Sequence, residues 1–377
     1  MRPAKIPTML VLLALVAIGC APAAASVSTA PSGGAVAASV TLPAPASSLA
    51  TMASPATVAP AAPPSPTAVP DALVPWIVYQ APDGLRLLRP DGSESRLVLP
   101  HGPIAAAARH PDWSPDGTRL AFVVDQADGT RDVWTAAWDG SNASRLLDCV
   151  PPCRDNDSPA WSPDGTRIAF TRIDNVNGHN PGSRLQVIDL ATRTITTLAS
   201  TSGAEYVAAP RWSPDGRSIV VEIDRYVDDG NDTTTITGEA IGVVRLDDAT
   251  PAIRLIRAFD TFSTYPDWHP TADLILFAAG NADPLDPKAP PENLNTIRPD
   301  GTGLTQITHQ APADDGLWMP AFRPDGSGIL ATFVHRPSGG LGLSLASLGP
   351  DGSRLRNLGD HVAIQGAHCR QRPVPAP

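Results

Sequence analysis

The chain of 377 residues is long enough for one large domain or two medium ones, and its 42% hydrophobic and 18% charged residues are the balance of a globular protein rather than a disordered one. Its formal net charge of −10 argues against a nucleic-acid partner, which needs clustered Lys and Arg to displace counterions.

The N-terminal stretch MRPAKIPTMLVLLALVAIGC places two positive residues, Arg2 and Lys5, before an apolar run from Met9 to Gly19. That run is too short to span a bilayer and has the form of an export signal. It ends in Ala17-Ile18-Gly19-Cys20, which resembles the lipobox of bacterial lipoproteins; the resemblance implies removal of residues 1–19 and acylation of Cys20, with Ala17 standing where the family prefers Leu. The alternative is an ordinary signal peptide cleaved near Ala23 to Ala25, with Cys20 discarded. From 21 to 72 the composition is almost wholly Ala, Pro, Ser, Thr, Val and Gly, without a charge before Asp71. No periodic apolar face can be drawn there, so ordering it would not be offset by burial, and the segment reads as a tether. Fully extended at about 3.1 Å per residue, it would reach roughly 150 Å.

Beyond the tether one phrase recurs five times: PDWSPDG at 111, PAWSPDG at 159, PRWSPDG at 210, PDWHPTA at 266 and PAFRPDG at 320. The spacing of roughly 50 residues is the length of one four-stranded propeller blade with generous loops. Each copy precedes an apolar run, such as TRLAFVVD at 118 or RSIVVEID at 217, of the kind that forms a strand buried on both faces. Pro presets the first corner of a turn and Gly accepts the left-handed conformation, so Pro-Asp-Gly encodes a tight hairpin between two strands, A and B. Trp113, Trp161, Trp212, Trp268 and Phe322 stand at a fixed offset before it. A repeated aromatic at one register is what a repeated core asks for; stacking platforms for sugars are the functional alternative.

A second turn series (RPDGS at 89, WDGSN at 138, LATRT at 190, LDDAT at 246, RPDGTG at 298, GPDGS at 349) marks six hairpins between strands C and D, against five between A and B. The first blade, residues 75 to 99, lacks its strand A. The chain's end, from Ala363 to Arg372, is predicted to supply it and so close the ring.

PAWSPDGTRIAF closely resembles the repeat of TolB-type propellers, also called WD40-like or PD40 repeats, which also occurs in the propeller domains of prolyl oligopeptidase-type peptidases. The resemblance covers about 300 residues, essentially all of the folded part, and implies the fold far more than a function. TolB carries an α/β domain before its propeller where this chain has the tether, so its Tol partners do not carry over. The peptidases carry a G-x-S-x-G nucleophile elbow; GLSLA at 342 lacks the last Gly.

The long, blade-specific loops fall on the side opposite the short turns, where binding loops gather. Residues just before each strand A are expected to ring the channel there: Arg109 and His110, Asp157 and Ser158, Ala208 and Ala209, Thr264 and Tyr265, Trp318 and Met319. Of these, Arg109, His110, Asp157, Ser158, Tyr265 and Trp318 are the candidate ligand-binding residues, the alternative being solvated side chains in a wet channel. Asp224, Asp228, Asp229 and Asp232 suggest calcium, but their spacing does not match an Asp-x-Asp-x-Asp-Gly loop and an acidic solvated hairpin is preferred. His309, His335 and His361 would meet only through the fold. Cys149 and Cys153 in CVPPC are expected to form a small disulfide in an exported protein, and Cys369 to sit buried where the closing strand would place its aromatic.

The expectation is thus an all-β, six-bladed propeller over 73–372 behind a signal segment (1–20) and a tether (21–72), with a short tail (373–377). It is a monomer on the outer side of a bacterial membrane, held through the lipid on Cys20, and binds a protein, peptide or cell-envelope glycan without a cofactor, a metal or a catalytic residue. An enzyme, lyase or hydrolase, acting at the channel mouth is the rival class, and an envelope-anchored scaffold is a third.

Overall fold

The structure, a computed structural model, describes residues 75–99, 104–175, 182–228, 234–259, 262–280, 291–310, 315–335, 342–359 and 365–369. Cys20, the 21–72 segment, His361 and the 373–377 tail lie outside the described residues. Among the described residues every regular element is a strand.

The strands, in chain order, are β1 (Ile77–Ala81), β2 (Gly84–Leu88), β3 (Ser95–Leu97), β4 (Ala108–Trp113), β5 (Arg119–Asp125), β6 (Arg131–Ala137), β7 (Ser144–Leu147) and β8 (Cys153–Trp161). There follow β9 (Arg167–Asp174), β10 (Ser183–Asp189), β11 (Ile195–Ser200), β12 (Glu205–Trp212), β13 (Ser218–Asp228), β14 (Thr234–Arg245), β15 (Ile253–Arg257) and β16 (Phe262–Trp268). The last eight are β17 (Ile275–Gly280), β18 (Asn293–Ile297), β19 (Thr305–Gln306), β20 (Asp315–Phe322), β21 (Ile329–His335), β22 (Gly342–Leu348), β23 (Arg356–Asn357) and β24 (Gln365–Cys369).

Strands β12 to β15, β16 to β19 and β20 to β23 each form a four-stranded antiparallel meander, and the fourth four-stranded sheet has the order β24-β1-β2-β3. The eight-stranded sheet is two such meanders, β4 to β7 and β8 to β11, joined by a single parallel bridge between Arg131 and Asp155. In β24, Cys369 faces Ile77, the register that Trp113 holds against Leu120 and Trp212 against Ile219.

The aromatics lie between successive meanders. Trp113 shares a buried cluster with Trp76, Val78 and Leu87 of the preceding sheet, and Trp212 one with Ala169, Leu185 and Val187. The Trp113 indole N–H donates to the His368 carbonyl at 3.0 Å, and that of Trp212 to the Ala160 carbonyl at 3.1 Å, so each ring ties its strand to strand A of the meander before it. The hairpin arginine adds a second tie, with the Arg167 guanidinium 4.7 Å from the Trp212 ring centre and that of Arg119 5.6 Å from Trp161. Ile77, Tyr79 and Leu88 of the sheet containing β1 pack in the same way with Leu330, Leu345 and Leu358.

The repeated hairpin carries more than Pro and Gly. Gly117, at φ 66°, donates its N–H to the Ser114 carbonyl at 2.8 Å, while the buried Ser114 Oγ donates to Asp116 and accepts the Arg119 N–H. Ser162 and Ser213 repeat this network. In the fourth copy His269 replaces the serine, and its Nδ1 accepts the N–H groups of Thr271 and Ala272.

Candidate ligand-binding channel

Strand A in five successive meanders (β4, β8, β12, β16 and β20) breaks its ladder at one place, three residues before the aromatic. The register shifts fall between Arg109 and Asp112, Asp157 and Ala160, Ala208 and Arg211, Thr264 and Asp267, and Trp318 and Ala321. The cause is local: His110, Ser158, Ala209, Tyr265 and Met319 have φ between 43° and 51°, and the proline after each has no N–H to give the ladder. A left-handed non-glycine residue costs on the order of 1–3 kcal/mol and persists only where its surroundings hold it. At two of the five the preceding meander does so: the Tyr265 N–H donates to Glu222 Oε2 at 2.6 Å and the His110 N–H to Gln80 Oε1 at 3.3 Å. The candidate residues therefore lie within strand A, not just before it, on rigid sheet rather than on loops.

Three of the candidates form one ionic group. His110 Nδ1 and the Arg131 guanidinium, the latter at 2.9 Å, both meet the Asp157 carboxylate, and Asp157 also accepts the Ser158 N–H at 2.6 Å. Burial works to raise the Asp157 carboxyl, but the charges of His110 and Arg131 outweigh it and hold it well below the usual carboxylate range. Arg109 pairs instead with Asp125, which also meets Arg131 at 3.3 Å. Asp157 is thus a fixed anion that orients cations, with no proton to exchange near pH 7.

Tyr265 and Trp318 meet edge to face, with ring centres 5.3 Å apart. Beside Tyr265 lies a second polar group, from β13 and β14. Glu222, Asp224 and Glu239 are all buried, with carboxylate oxygens within 4.8 Å of one another. Such a spacing is one a hard cation accepts. No Lys or Arg pairs with them among the described residues, and burial together with mutual repulsion pushes Glu222 well above its ordinary value and Glu239 to about 9; burial raises Asp224 too. The same surroundings push the Tyr265 phenol up. Sharing protons is what this group can do at neutral pH.

These geometries bear on several expectations and overturn one. Asp224 is not part of a solvated hairpin: β13 and β14 run on to Asp228 and from Thr234, so the 224–239 stretch is largely sheet and Asp224 is buried in it. Asp229 and Asp232 lie outside the described residues. His309 approaches Gln306, and the His335 Nε2 lies 2.8 Å from the Ser344 Oγ, so these two histidines serve separate places. Residues 342–346 are part of β22, an ordinary strand rather than an elbow. Cys149 and Cys153 are joined by a disulfide at the start of β8.

Partners that were not singled out from the sequence are Arg131, Asp125, Glu222 and Glu239, along with Arg211, whose Nη2 lies 2.8 Å from His368 Nε2. One signal was present: in VVEIDR, residues 220–225, acidic residues take the alternate positions of the face that Val220 begins.

No known protein-family model matches the sequence, and no curated protein matches it significantly. Similar solved structures are those of TolB from Acinetobacter baumannii (TM-score 0.55, 16% identity, 80% of this chain and 68% of that one) and a chain of the nidogen/laminin complex (TM-score 0.56, 8% identity, 79% and 99%). A third is a puromycin-hydrolyzing peptidase of Mycobacterium tuberculosis (TM-score 0.50, 16% identity), which this chain covers at 77% of its own length and 43% of the other's. With the recurring Trp-Ser-Pro-Asp-Gly hairpins and the meanders packed through them, these similarities define the fold as a β-propeller. That fold is similar to the one seen in TolB.

Proposed function

We infer that the chain is an envelope lipoprotein whose propeller has six blades, closes through β24, and binds a protein segment, peptide or cell-envelope glycan at its long-loop mouth. Closure is supported by the pairing of β24 with β1, by the Trp113 bond to His368, and by the cluster that joins Ile77 and Leu88 to Leu330 and Leu358. The lipobox-like Cys20 and the 21–72 composition support the anchor and tether. The observation that carries the binding reading is that Asp157, which holds the Arg131 guanidinium, and the Tyr265–Trp318 pair stand at the same bulge of strand A in different blades. An aromatic pair with fixed charge is what anchors a polar ligand at small entropic cost.

The test is a thermal-shift and calorimetric screen of peptides and peptidoglycan fragments against the folded chain, followed by Trp318→Ala. Loss of at least about tenfold in affinity, corresponding to roughly 1.4 kcal/mol, is the expected result. A ligand that binds the variant unchanged overturns the site. Labelling of cells with a radioactive fatty acid tests the anchor: Cys20→Ala is expected to be unlabelled.

One observation favours the enzyme reading. A glutamic acid held protonated to about pH 9 beside the mouth, as Glu239 is, suits a general acid. Turnover of a glycan that vanishes in Glu239→Gln while binding persists would establish it.

A further inference from the structure

We propose that the short-turn end of the propeller is a receptor for a primary ammonium group on an apolar stem, the chemistry of a lysine side chain. The cavity there has a volume of about 290 Å³, enough for one side chain and too small for a folded element. Five hairpin prolines (Pro115, Pro163, Pro214, Pro270 and Pro324) form its collar, and Asp112, Arg211 and Asp267 are at its floor. A collar of prolines has no N–H to offer and suits methylene groups.

The floor is built to present carboxylate. The Trp161 N–H donates to Asp112 Oδ2 and the Phe322 N–H to Asp267 Oδ2, both at 2.7 Å, so each carboxylate is oriented by the backbone of the next blade. Among the described residues, no Lys, Arg or His side chain lies within ion-pair distance of either one. Arg211, the nearest cation, is turned aside: it donates to the Pro210 carbonyl at 2.9 Å and lies 2.8 Å from His368 Nε2. Burial, then Arg211, pushes His368 well below its ordinary value, so it adds no charge. Two carboxyl groups therefore face one guanidinium; burial raises both Asp112 and Asp267 against the pull of Arg211, so a second cation between them would favour the ionised forms. An ammonium, with three donors for oxygens already aimed at one cavity, fits that floor; an anion does not.

Four tryptophans, Trp113, Trp161, Trp212 and Trp268, line the cavity and provide the readout. Tryptophan fluorescence is to be titrated with n-butylammonium, with n-butanol, and with a short acetylated peptide carrying lysine or norleucine at one position. A saturable change with the ammonium and the lysine peptide, and none with the alcohol or the norleucine peptide, is expected. Asp267→Asn and Asp112→Asn, which keep an acceptor for the backbone N–H, should each weaken binding at least tenfold, and the pair should abolish it. Arg211→Gln should tighten it, where an anion site would lose its ligand. Because Asp267 is raised by burial to about 6, with Asp112, Arg211 and His368 facing it, binding should also weaken as the pH falls through 6.

A lysine peptide that binds more tightly than butylammonium points to a side chain of a partner, and equal affinities point to a free amine. No saturation, saturation unchanged in the asparagine pair, or calcium saturating the site while the amines do not, would overturn the proposal. Trp318→Ala is expected to leave this titration unchanged, so failure here and failure of the mouth as a binding site can be told apart. A melting temperature within a few degrees of the parent for each variant secures the reading.

Discussion

The two ends of the same strands follow opposite rules. At the short-turn end, Ser114, Ser162 and Ser213 make the same bonds to the same neighbours, and Trp113, Trp161 and Trp212 are buried to within 6–8%. At the long-loop end the same bulge carries His110, Ser158, Ala209, Tyr265 and Met319, five side chains of five chemistries. Repetition is found where blades must stack, because one solution to the wedge between two sheets serves every wedge. Divergence is found at the bulge, where the contacts between meanders are not repeated from one to the next, and that is where binding chemistry has room to develop.

The contrast is broken most directly by removing one aromatic from each end. Trp212→Ala takes away a buried ring, its bond to Ala160 and the Arg167 contact, and should cost about 3–5 kcal/mol in urea unfolding. Trp318→Ala removes a half-buried ring at the mouth and should cost well under half of that while lowering ligand affinity. Equal losses would mean that the mouth is simply more core.

The Cys149–Cys153 bridge belongs to the divergent end and has no counterpart in other blades. It closes a very short loop, so replacing both cysteines with serine should destabilise by about 2 kcal/mol on the chain-entropy model. Hydrogen exchange should rise first at the start of β8, next to Asp155 and Asp157. Exchange rising evenly over all blades would deny the bridge a local role.

What could be read from the sequence divides along the same line. Trp-Ser-Pro-Asp-Gly is a local signal, in which spacing, turn chemistry and the following apolar run agree, and the two turn series even indicated that the first blade needs a strand from elsewhere, which β24 supplies in the β24-β1-β2-β3 sheet. The site was legible only as a ring of positions. Arg131 reaching Asp157 and Arg211 reaching His368 are meetings of residues 26 and 157 apart, which no local pattern encodes. Asp224 was misread because a run of acidic and glycine residues resembles a loop, whereas pairing across β13 and β14 carries the sheet through it. The left-handed residue before each proline was missed for a related reason: the residue before proline is normally extended, and the acceptors that favour the exception at His110 and Tyr265 come from the neighbouring blade.

The acidic group gives a pH-dependent form of the comparison. Glu239 is raised from 4.5 to about 9 by burial and by Asp224, so between those values the folded chain holds protons that the unfolded chain has released. Stability then falls as pH rises through that window. Glu239→Gln should change little near pH 5 and should stabilise the chain by on the order of 1 kcal/mol toward pH 9, measured by urea unfolding at the two pH values. A variant less stable than the parent at high pH would mean that Glu239 is satisfied as an anion.

The smallest effect tests the repeated end in its finest detail. Arg167 follows the second Pro-Asp-Gly turn; its guanidinium lies 4.7 Å from the Trp212 ring centre, and its ion pair with Asp164, at 3.6 Å, is loose and exposed. An exposed pair of that kind contributes little, so what Arg167→Gln removes is mainly the contact with the ring of the next blade, about 0.5–1 kcal/mol. A double-mutant cycle with Trp212→Leu separates the two. A coupling of that size shows that the hairpin arginine joins blades as the tryptophan does. Zero coupling would leave the ring alone in that task, with the arginine retained only for its hairpin.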